Sequence, residues 1–387
     1  MKLRFPSGIT PSDFLETYWQ KRPLFMPGAL AEYDFPLAPE ELAGLACEPE
    51  VESRLVRDRD FAHWELLHGP FDEAFFTALP DEHWTLLVQD LDKYLPEVAR
   101  LLAPFEFIPR WRFDDVMVSY ASPGGSVGPH VDTYDVFLVQ GMGRRRWQIQ
   151  TRPDVQALLP ELPVRILAHF EPEEEWVLEQ GDVLYLPPGV AHWGIAETPT
   201  MNWSVGLRAP TFSEMIDSFG QFLIEELPAE DHYRDPPFGP VADPSRIDPG
   251  QADTLFRQLA RWLDDPDLRR QWFGRFMTET KPHLTIAPLD PPLEAETLSS
   301  RLQRGERLGR HPFARFAWSP PLKPQGPPWL FVSGEAHPWP DSEHSLQALC
   351  NAPLLDWTTL ASCLAREGCR ALLTELVNQG QLEFRSG

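Results

Sequence analysis

The stretch GPHVDTYD, residues 128–135, sets His130 and Asp132 two apart. Side chains alternate along a strand, so both leave the same face if this segment is extended. A second stretch, GDVLYLPPGVAHWG, residues 181–194, brings His192 just after an apolar run and a tight Pro-Pro-Gly turn. Alone, each histidine reads more readily as a hydrogen-bonded structural residue than as a ligand, and the aspartate as a turn or edge residue. Together on one face, two neutral imidazoles and one carboxylate make a facial triad, which leaves positions on a six-coordinate metal open for a cosubstrate and dioxygen. Fe(II) is the natural occupant. A closed structural zinc site would call for four Cys or His ligands, and no cysteine stands near these residues.

A third element of the same chemistry is GMGRRRWQI, residues 141–149. Arg145 shares strand parity with Trp147 and Ile149, whereas Arg144 and Arg146 take the other face and read as surface cations. A guanidinium pointing into an apolar barrel is costly unless an anion meets it. A dicarboxylate chelating the iron at one end would present that anion at the other, in the bidentate geometry a guanidinium favours. Asp115 and Tyr134 flank the metal motif and suit a basic side chain, one by charge pairing and one by packing on a guanidinium plane. A strand-start turn and a core aromatic are the structural alternatives for these two.

These residues need a scaffold of short strands, and the chain supplies one. Between Asp115 and Pro210 run VMVSYA, YDVFLVQG, RRWQIQ, EWVLEQGD, VLYLPPG, AHWGIAE and NWSVGLRA, punctuated by Gly and Pro. Such spacing indicates an antiparallel sandwich or barrel, and a jelly roll would lay the strand before His192 beside the one carrying His130. Upstream, Thr10, Pro11 and Asp13 form a capping-box start for a helix expected to run to about Lys21. Helices are also expected at 38–46, at FDEAFFTAL and, as one piece, at LDKYLPEVARLL; β-like pieces are expected at SRLVRD, FAHWEL and HWTLLVQD. Downstream, amphipathic segments at FSEMIDSFGQFLIEEL, QADTLFRQLARWLDD and DLRRQWFGRFMTET suggest helix packing within the chain or across a dimer. After the Pro-rich stretch 286–296, a helix, short strands and a long last helix at WTTLASCLAREGCRALLTELVNQGQLEF, residues 357–384, suggest a winged-helix module. The expected class is α+β: a jelly-roll domain over 1–210, a helical dimerisation segment over 211–285 and a winged-helix-like domain over 286–387.

Charge is uneven. Of a net −24, the segment 291–387 holds 9 basic and 10 acidic residues, so nearly all the excess lies upstream. An acidic field repels phosphate backbones and attracts basic partners, although solubility alone would also account for it. No run is apolar enough to cross a bilayer, and MKLRFPSGIT lacks the apolar core of a secretory signal, so a cytoplasmic location is expected. The four cysteines, with no CxxC pair, are expected to be reduced.

The run RFDDVMVSYASPGGSVGPHVDTYDVFLVQGMGRRRWQI, the GDVLYLPPGVAHWG motif and the opening DFLETYWQKRPLF resemble the JmjC-type ribosomal oxygenases. Within them the chain is most similar to the bacterial 2-oxoglutarate-dependent arginine hydroxylases that act on the sixteenth protein of the large ribosomal subunit. The likeness is clear over about 12–285 and holds by layout beyond. It implies His130, Asp132 and His192 as iron ligands and Arg145 as the partner of the 2-oxoglutarate distal carboxylate. Asn202 and Ser204 on the last barrel strand would lie near metal and cosubstrate, with Ser119 adding a hydroxyl. It further implies a basic ribosomal protein as substrate, a homodimer, and no direct contact with nucleic acid or membrane. A JmjC-type demethylase shares the triad, and a cupin-like binding module without turnover shares the fold; both stay open on sequence alone.

Overall fold

The computed structural model describes residues 2–58, 63–160, 165–228, 232–235, 239–240, 242–247, 249–321, 323 and 325–385. The chain divides into two compact units, 1–209 and 210–387.

In the first unit twelve strands form two antiparallel sheets: β1 (Leu24–Met26), β2 (Ser53–Asp58), β3 (Trp64–His68), β4 (Trp84–Val88), β5 (Phe113–Ala121), β6 (His130–Val131), β7 (Val136–Met142), β8 (Arg145–Gln150), β9 (Glu174–Leu178), β10 (Val183–Leu186), β11 (Ala191–Ala196) and β12 (Thr200–Leu207). The major sheet has eight strands in the order β1-β10-β7-β12-β5-β4-β2-β3, and the minor sheet four, β6-β11-β8-β9. The jelly roll expected from 115–210 is present, and four strands upstream of it, β1 to β4, widen the major sheet. Of the FAHWEL segment, residues 61 and 62 lie outside the described residues.

Period-two alternation explains how the major sheet serves two purposes. On one face Leu55, Leu86, Val88, Val116, Val118, Phe137, Val139, Tyr185, Trp203 and Val205 pack with Phe14, Phe105 and Leu42 in the main core. The residues between them, among them Thr85, Leu87, Asp115, Met117, Ser119, Asn202 and Ser204, face a cavity closed on its other side by the minor sheet. Both faces are therefore buried, which is why β12 has no exposed position.

The N-terminal helix, Pro11–Thr17, begins with the expected capping box, Thr10 N donating to Asp13 Oδ2 at 2.9 Å and Asp13 N to Thr10 Oγ1 at 3.2 Å. It stops four residues short of Lys21. Gln20 takes a left-handed backbone, φ +56°, and its N–H donates to Tyr185 Oη at 2.8 Å, so a tertiary bond replaces the continuing helix. The single helix expected at LDKYLPEVARLL is also divided, into Leu91–Tyr94 and Pro96–Ala99, because the residue before a proline is driven out of the helical region; Leu95 is extended at φ −120°, ψ 109°.

The second unit starts with helices Phe212–Glu226, Pro249–Leu263 and Pro266–Thr278. A helix (Ala295–Gln303), a two-stranded sheet (Arg307–Arg310 with Leu382–Arg385), a three-stranded sheet (Phe316–Ser319, Trp329–Val332, Glu335–Pro338) and helices Glu343–Asn351, Trp357–Leu364 and Glu367–Asn378 follow. They close on a core that includes Leu298, Leu330, Trp339, Leu360 and Leu373. Here two expectations are corrected. The long last helix is two helices and a strand, broken where Arg366 is extended. Cys363 and Cys369 are not free thiols but a disulfide, with Cα atoms 5.4 Å apart. In one continuous helix six residues would rise about 9 Å, too far to bridge; the break lets the second helix bring Cys369 back. Cys47 and Cys350 take no part in a disulfide. No helix among the described residues is long and apolar enough to cross a membrane.

Candidate metal centre and cosubstrate pocket

β6 and β11 pair with His130 directly opposite His192, so register alone brings two residues far apart in sequence side by side. Their ring centroids are 4.2 Å apart. Asp132, just past the end of β6, turns its carboxylate between them: Oδ1 lies 4.0 Å from His130 Nε2 and Oδ2 3.6 Å from His192 Nε2. One donor atom from each of the three falls within 4.8 Å of the others.

The outer nitrogens are occupied in a way that frees the inner ones. His130 Nδ1 is 2.9 Å from the Gly128 carbonyl, and His192 Nδ1 is 3.3 Å from that of Val190. A backbone carbonyl can only accept, so each Nδ1 carries the proton and each Nε2 presents a lone pair toward Asp132. Burial drives the His192 pKa down to about 4, and the nearby His130 adds to the shift, so His192 is neutral at physiological pH, the form in which an imidazole can bind a metal. Two imidazole nitrogens and a carboxylate oxygen, converging on a cavity rather than enclosed by a fourth residue, fit a metal with open coordination positions.

Arg145 enters the same cavity from β8. It is only 2% exposed and has no acidic partner among the described residues. Its Nη2 donates to the Gly194 carbonyl at 3.3 Å, its guanidinium lies 4.7 Å from the Trp147 ring, and its Nε has no hydrogen-bond partner. Burial pulls its pKa down to about 10, still far above neutrality. A buried cation with unsatisfied donors fits an anion by the chemistry of its donors. Gly194 makes room for it: a Cβ there would stand 2.6 Å from Arg145 Nε and 2.7 Å from the Trp147 ring.

Facing these from the major sheet, Ser119 and Asn202 are register partners on β5 and β12. Asn202 Nδ2 donates to Ser204 Oγ at 3.0 Å, while Asn202 Oδ1 and Thr85 Oγ1 are buried and lack partners. Asp115 and Tyr134 both line the cavity. A Cβ on Gly206 would be 3.0 Å from Asp115 Oδ1, so the glycine keeps that carboxylate reachable. Desolvation raises the Tyr134 pKa, and the Asp132 and Asp115 charges raise it further, which keeps the phenol protonated. The structure thus brings all nine sequence-selected residues to one cavity of about 450 Å³, within the roughly 300–1,000 Å³ typical of ligand sites.

Sequence reading missed several contributors. Parity alone places Trp147 on the inward face of β8, and the structure makes it the platform under Arg145. Thr85 on β4 lines the cavity, a polar residue on the inward parity of HWTLLVQD. Asp135 closes the same stretch as the metal motif but serves a different purpose. It is fully buried, and its carboxylate accepts from Tyr185 Oη at 2.6 Å, Arg112 Nη2 at 3.1 Å and Gln20 Nε2 at 3.1 Å. This network pins the end of the loop that carries Asp132 and Tyr134.

Comparison with known proteins agrees with this geometry. Residues 100–215 match the JmjC domain and 261–383 the ROXA-like winged helix. The chain is 36% identical over 96% of its length to the ribosomal protein uL16 3-hydroxylase of Escherichia coli (strain K12), covering 97% of that protein. It is 41% identical over 58% of its length to a probable ribosomal oxygenase of Haemophilus influenzae, covering 55% of that protein. Among solved structures, E. coli YcfD, a ribosomal oxygenase, aligns over the whole of both chains with a TM-score of 0.89 and 35% identity. YcfD in complex with cobalt and 2-oxoglutarate aligns over 100% of this chain and 99% of that one, with a TM-score of 0.86 and 35% identity. A relative more than one-third identical along nearly the full length of both chains, on a fold that centres a His-Asp-His cluster in the same cavity as a buried arginine, establishes that this chain belongs to the JmjC-domain ribosomal oxygenase family.

Proposed function

We propose that this chain is an Fe(II)- and 2-oxoglutarate-dependent protein hydroxylase that acts on carbon 3 of an arginine side chain in a large-subunit ribosomal protein. The observation that carries the reading is the pairing, across one cavity, of the His130–Asp132–His192 cluster with the Arg145 guanidinium, whose Nε is unsatisfied and which meets no carboxylate among the described residues. His130, Asp132 and His192 hold the metal. Fe(II), with 2-oxoglutarate and O₂, supplies the oxidising power that a C–H bond requires. Arg145 grips the distal carboxylate of the cosubstrate, and Ser119, Asn202 and Ser204 supply hydroxyl and amide groups around it. Asp115 pairs with the substrate guanidinium and Tyr134 packs on its plane. A sheet buried on both faces excludes water from the reacting groups.

The acidic surface favours a basic ribosomal protein over nucleic acid, and the near-neutral 291–387 segment suits docking of protein. The segment 211–285 is proposed to form a homodimer. Phe212, Ile216 and Ile224, at helical spacing along one helix, are 83%, 73% and 76% exposed, and Phe256 on the next is 64% exposed. A domain division at 1–210, 211–285 and 286–387 and a cytoplasmic location belong to the same proposal.

The test is incubation with a candidate ribosomal protein, Fe(II) and 2-oxoglutarate, followed by peptide mass spectrometry. Gain of one oxygen on arginine, absent with His130→Ala, is the expected outcome. Loss of a methyl group would make the enzyme a demethylase, and no succinate release with any basic ribosomal protein would leave a binding module.

A further inference from the structure

Outside the metal-ligand set, one buried hydroxyl touches the strand that delivers His192 and the turn that leads into the strand delivering His130. Ser126, in the SPGGSVGP stretch before β6, is 1% exposed. Its Oγ accepts from Trp193 Nε1–H at 2.9 Å and from Gly128 N–H at 3.0 Å. Each donor adjoins a histidine. Trp193 follows His192 on β11, and the carbonyl of Gly128 is the group that meets His130 Nδ1 at 2.9 Å. Gly128 has φ +78°, and a Cβ there would sit 2.8 Å from Ile166 Cδ1, so packing already restricts this turn to a conformation that suits glycine.

We propose that Ser126 is a positioning residue for the metal centre: by holding Gly128 and Trp193 on one oxygen, it aims the Gly128 carbonyl at His130 Nδ1 and fixes the loop bearing His130 against the strand bearing His192. The physical reasoning is directional. His130 offers Nε2 to a metal only while Nδ1 keeps its proton, and that tautomer is held by a carbonyl whose orientation depends on the 126–128 turn. The Val190 carbonyl that meets His192 Nδ1 also lies two residues back, but Ser126 reaches that strand only through the Trp193 indole and holds no backbone group of the Val190 turn, whereas it holds the backbone N–H of Gly128 itself. The hydroxyl therefore acts asymmetrically on two histidines that otherwise look equivalent. Its role toward the metal rests on the oxygenase reading above, but its effect on the His130 tautomer does not.

Two measurements test it. In metal-free protein at about pH 8.5, two units above the ordinary histidine pKa of about 6.5, imidazole ¹⁵N NMR should show single Nδ1–H tautomers at His130 and His192. In Ser126→Ala the His130 signal should become a tautomer mixture while that of His192 is unchanged. Titration with Co(II), followed by its visible absorption, should then show affinity weakened by roughly 10–100-fold, the range typical when a partner of a ligating histidine is removed. Ser126→Thr, which keeps the acceptor oxygen, should recover the wild-type tautomer. Trp193→Phe deletes only one of the two bonds to Oγ and should weaken Co(II) binding less than Ser126→Ala; it also reads the same linkage if the alanine variant does not fold. The proposal is overturned if His130 keeps one tautomer in Ser126→Ala, if His192 loses its tautomer equally, or if neither variant changes Co(II) affinity by more than twofold. Wild-type protein that binds no Co(II) would instead defeat the oxygenase reading, while the tautomer measurement still decides the role of Ser126.

Discussion

The two sheets that enclose the cavity divide its chemistry unequally. The minor sheet and the loop at its edge bring the groups that carry or hold charge: His130, Asp132, His192 and Arg145, on strands of two to six residues. The major sheet brings mostly neutral polar groups, Ser119, Asn202, Ser204 and Thr85, on strands whose opposite faces are occupied by the main core. A charge inside a protein needs a partner of its own, whereas a hydroxyl or amide is served in part by a neighbour two residues away, as Asn202 Nδ2 donates to Ser204 Oγ. The minor sheet should therefore gain most from bound ligands, and the anchoring behind it should decide stability without them.

Arg145 should show the widest gap between binding and stability. Replacing it with Met keeps length and apolar contact but removes the cation. Loss of a buried charge-assisted pair should cost the 2-oxoglutarate complex about 3 kcal/mol, close to a hundredfold in Kd, by calorimetric titration. In ligand-free protein the same change should leave stability within about 1 kcal/mol of wild type or raise it, since among the described residues the guanidinium has no carboxylate partner and only the Trp147 stacking and one long bond to the Gly194 carbonyl are lost. A large loss of ligand-free stability would mean that Arg145 is part of the scaffold and not a waiting anion site.

Asp135 is the opposite case. It is as buried as any residue in the unit, but Tyr185, Arg112 and Gln20 already satisfy it. Asp135→Asn should destabilise the free protein by about 3 kcal/mol, the low end for breaking a buried pair because Arg112 retains some solvent access. The paired change Asp135→Leu with Arg112→Met should cost less than Asp135→Asn alone, as read from urea unfolding. Equal costs would show that the charges are not coupled.

That contrast also explains what the chain disclosed before folding. His-x-Asp, the Pro-Pro-Gly-linked His192 and the parity of Arg145 were legible because charged residues in apolar runs demand an explanation at the level of one strand. The neutral set was legible only through family resemblance. Ser119 and Asn202 become neighbours through β5–β12 register, which no local pattern encodes. The same holds for Asp135, whose partners lie 23, 50 and 115 residues away. Helix ends were misjudged at Lys21 and in the last helix, where a tertiary hydrogen bond and a disulfide override local propensity. At Leu95 the break was local: Pro96 marks it in the sequence itself.

His192 gives the comparison a pH axis. Its folded-state pKa of about 4 lies below the unfolded value of about 6.5, because the buried site disfavours the imidazolium. The unfolded chain therefore binds the extra proton first, and the contribution of the neutral residue is complete above pH 6.5 and is lost as pH falls toward 4. Metal-free protein should lose about 2 kcal/mol from this group between pH 7.5 and pH 5. His192→Asn should remove that part of the slope. An unchanged slope in the variant would place the acid sensitivity elsewhere.

The smallest effect is expected one residue from the largest. Arg146 points out of β8, where it meets Glu197 at 2.6 Å and Glu175 at 3.8 Å, with 44% of its side chain exposed. Solvent screens such pairs, and ordering two long side chains offsets much of the attraction, so Arg146→Ala should shift stability by no more than about 0.5 kcal/mol. 2-Oxoglutarate affinity should not change. Arg145 and Arg146 share a strand and a charge, and differ in which side of the minor sheet they leave. If both substitutions weakened cosubstrate binding alike, a general positive field at β8 would be attracting the anion; if only Arg145→Met does, binding follows the inward face of the sheet, where one guanidinium is desolvated, stacked on Trp147 and short of a partner.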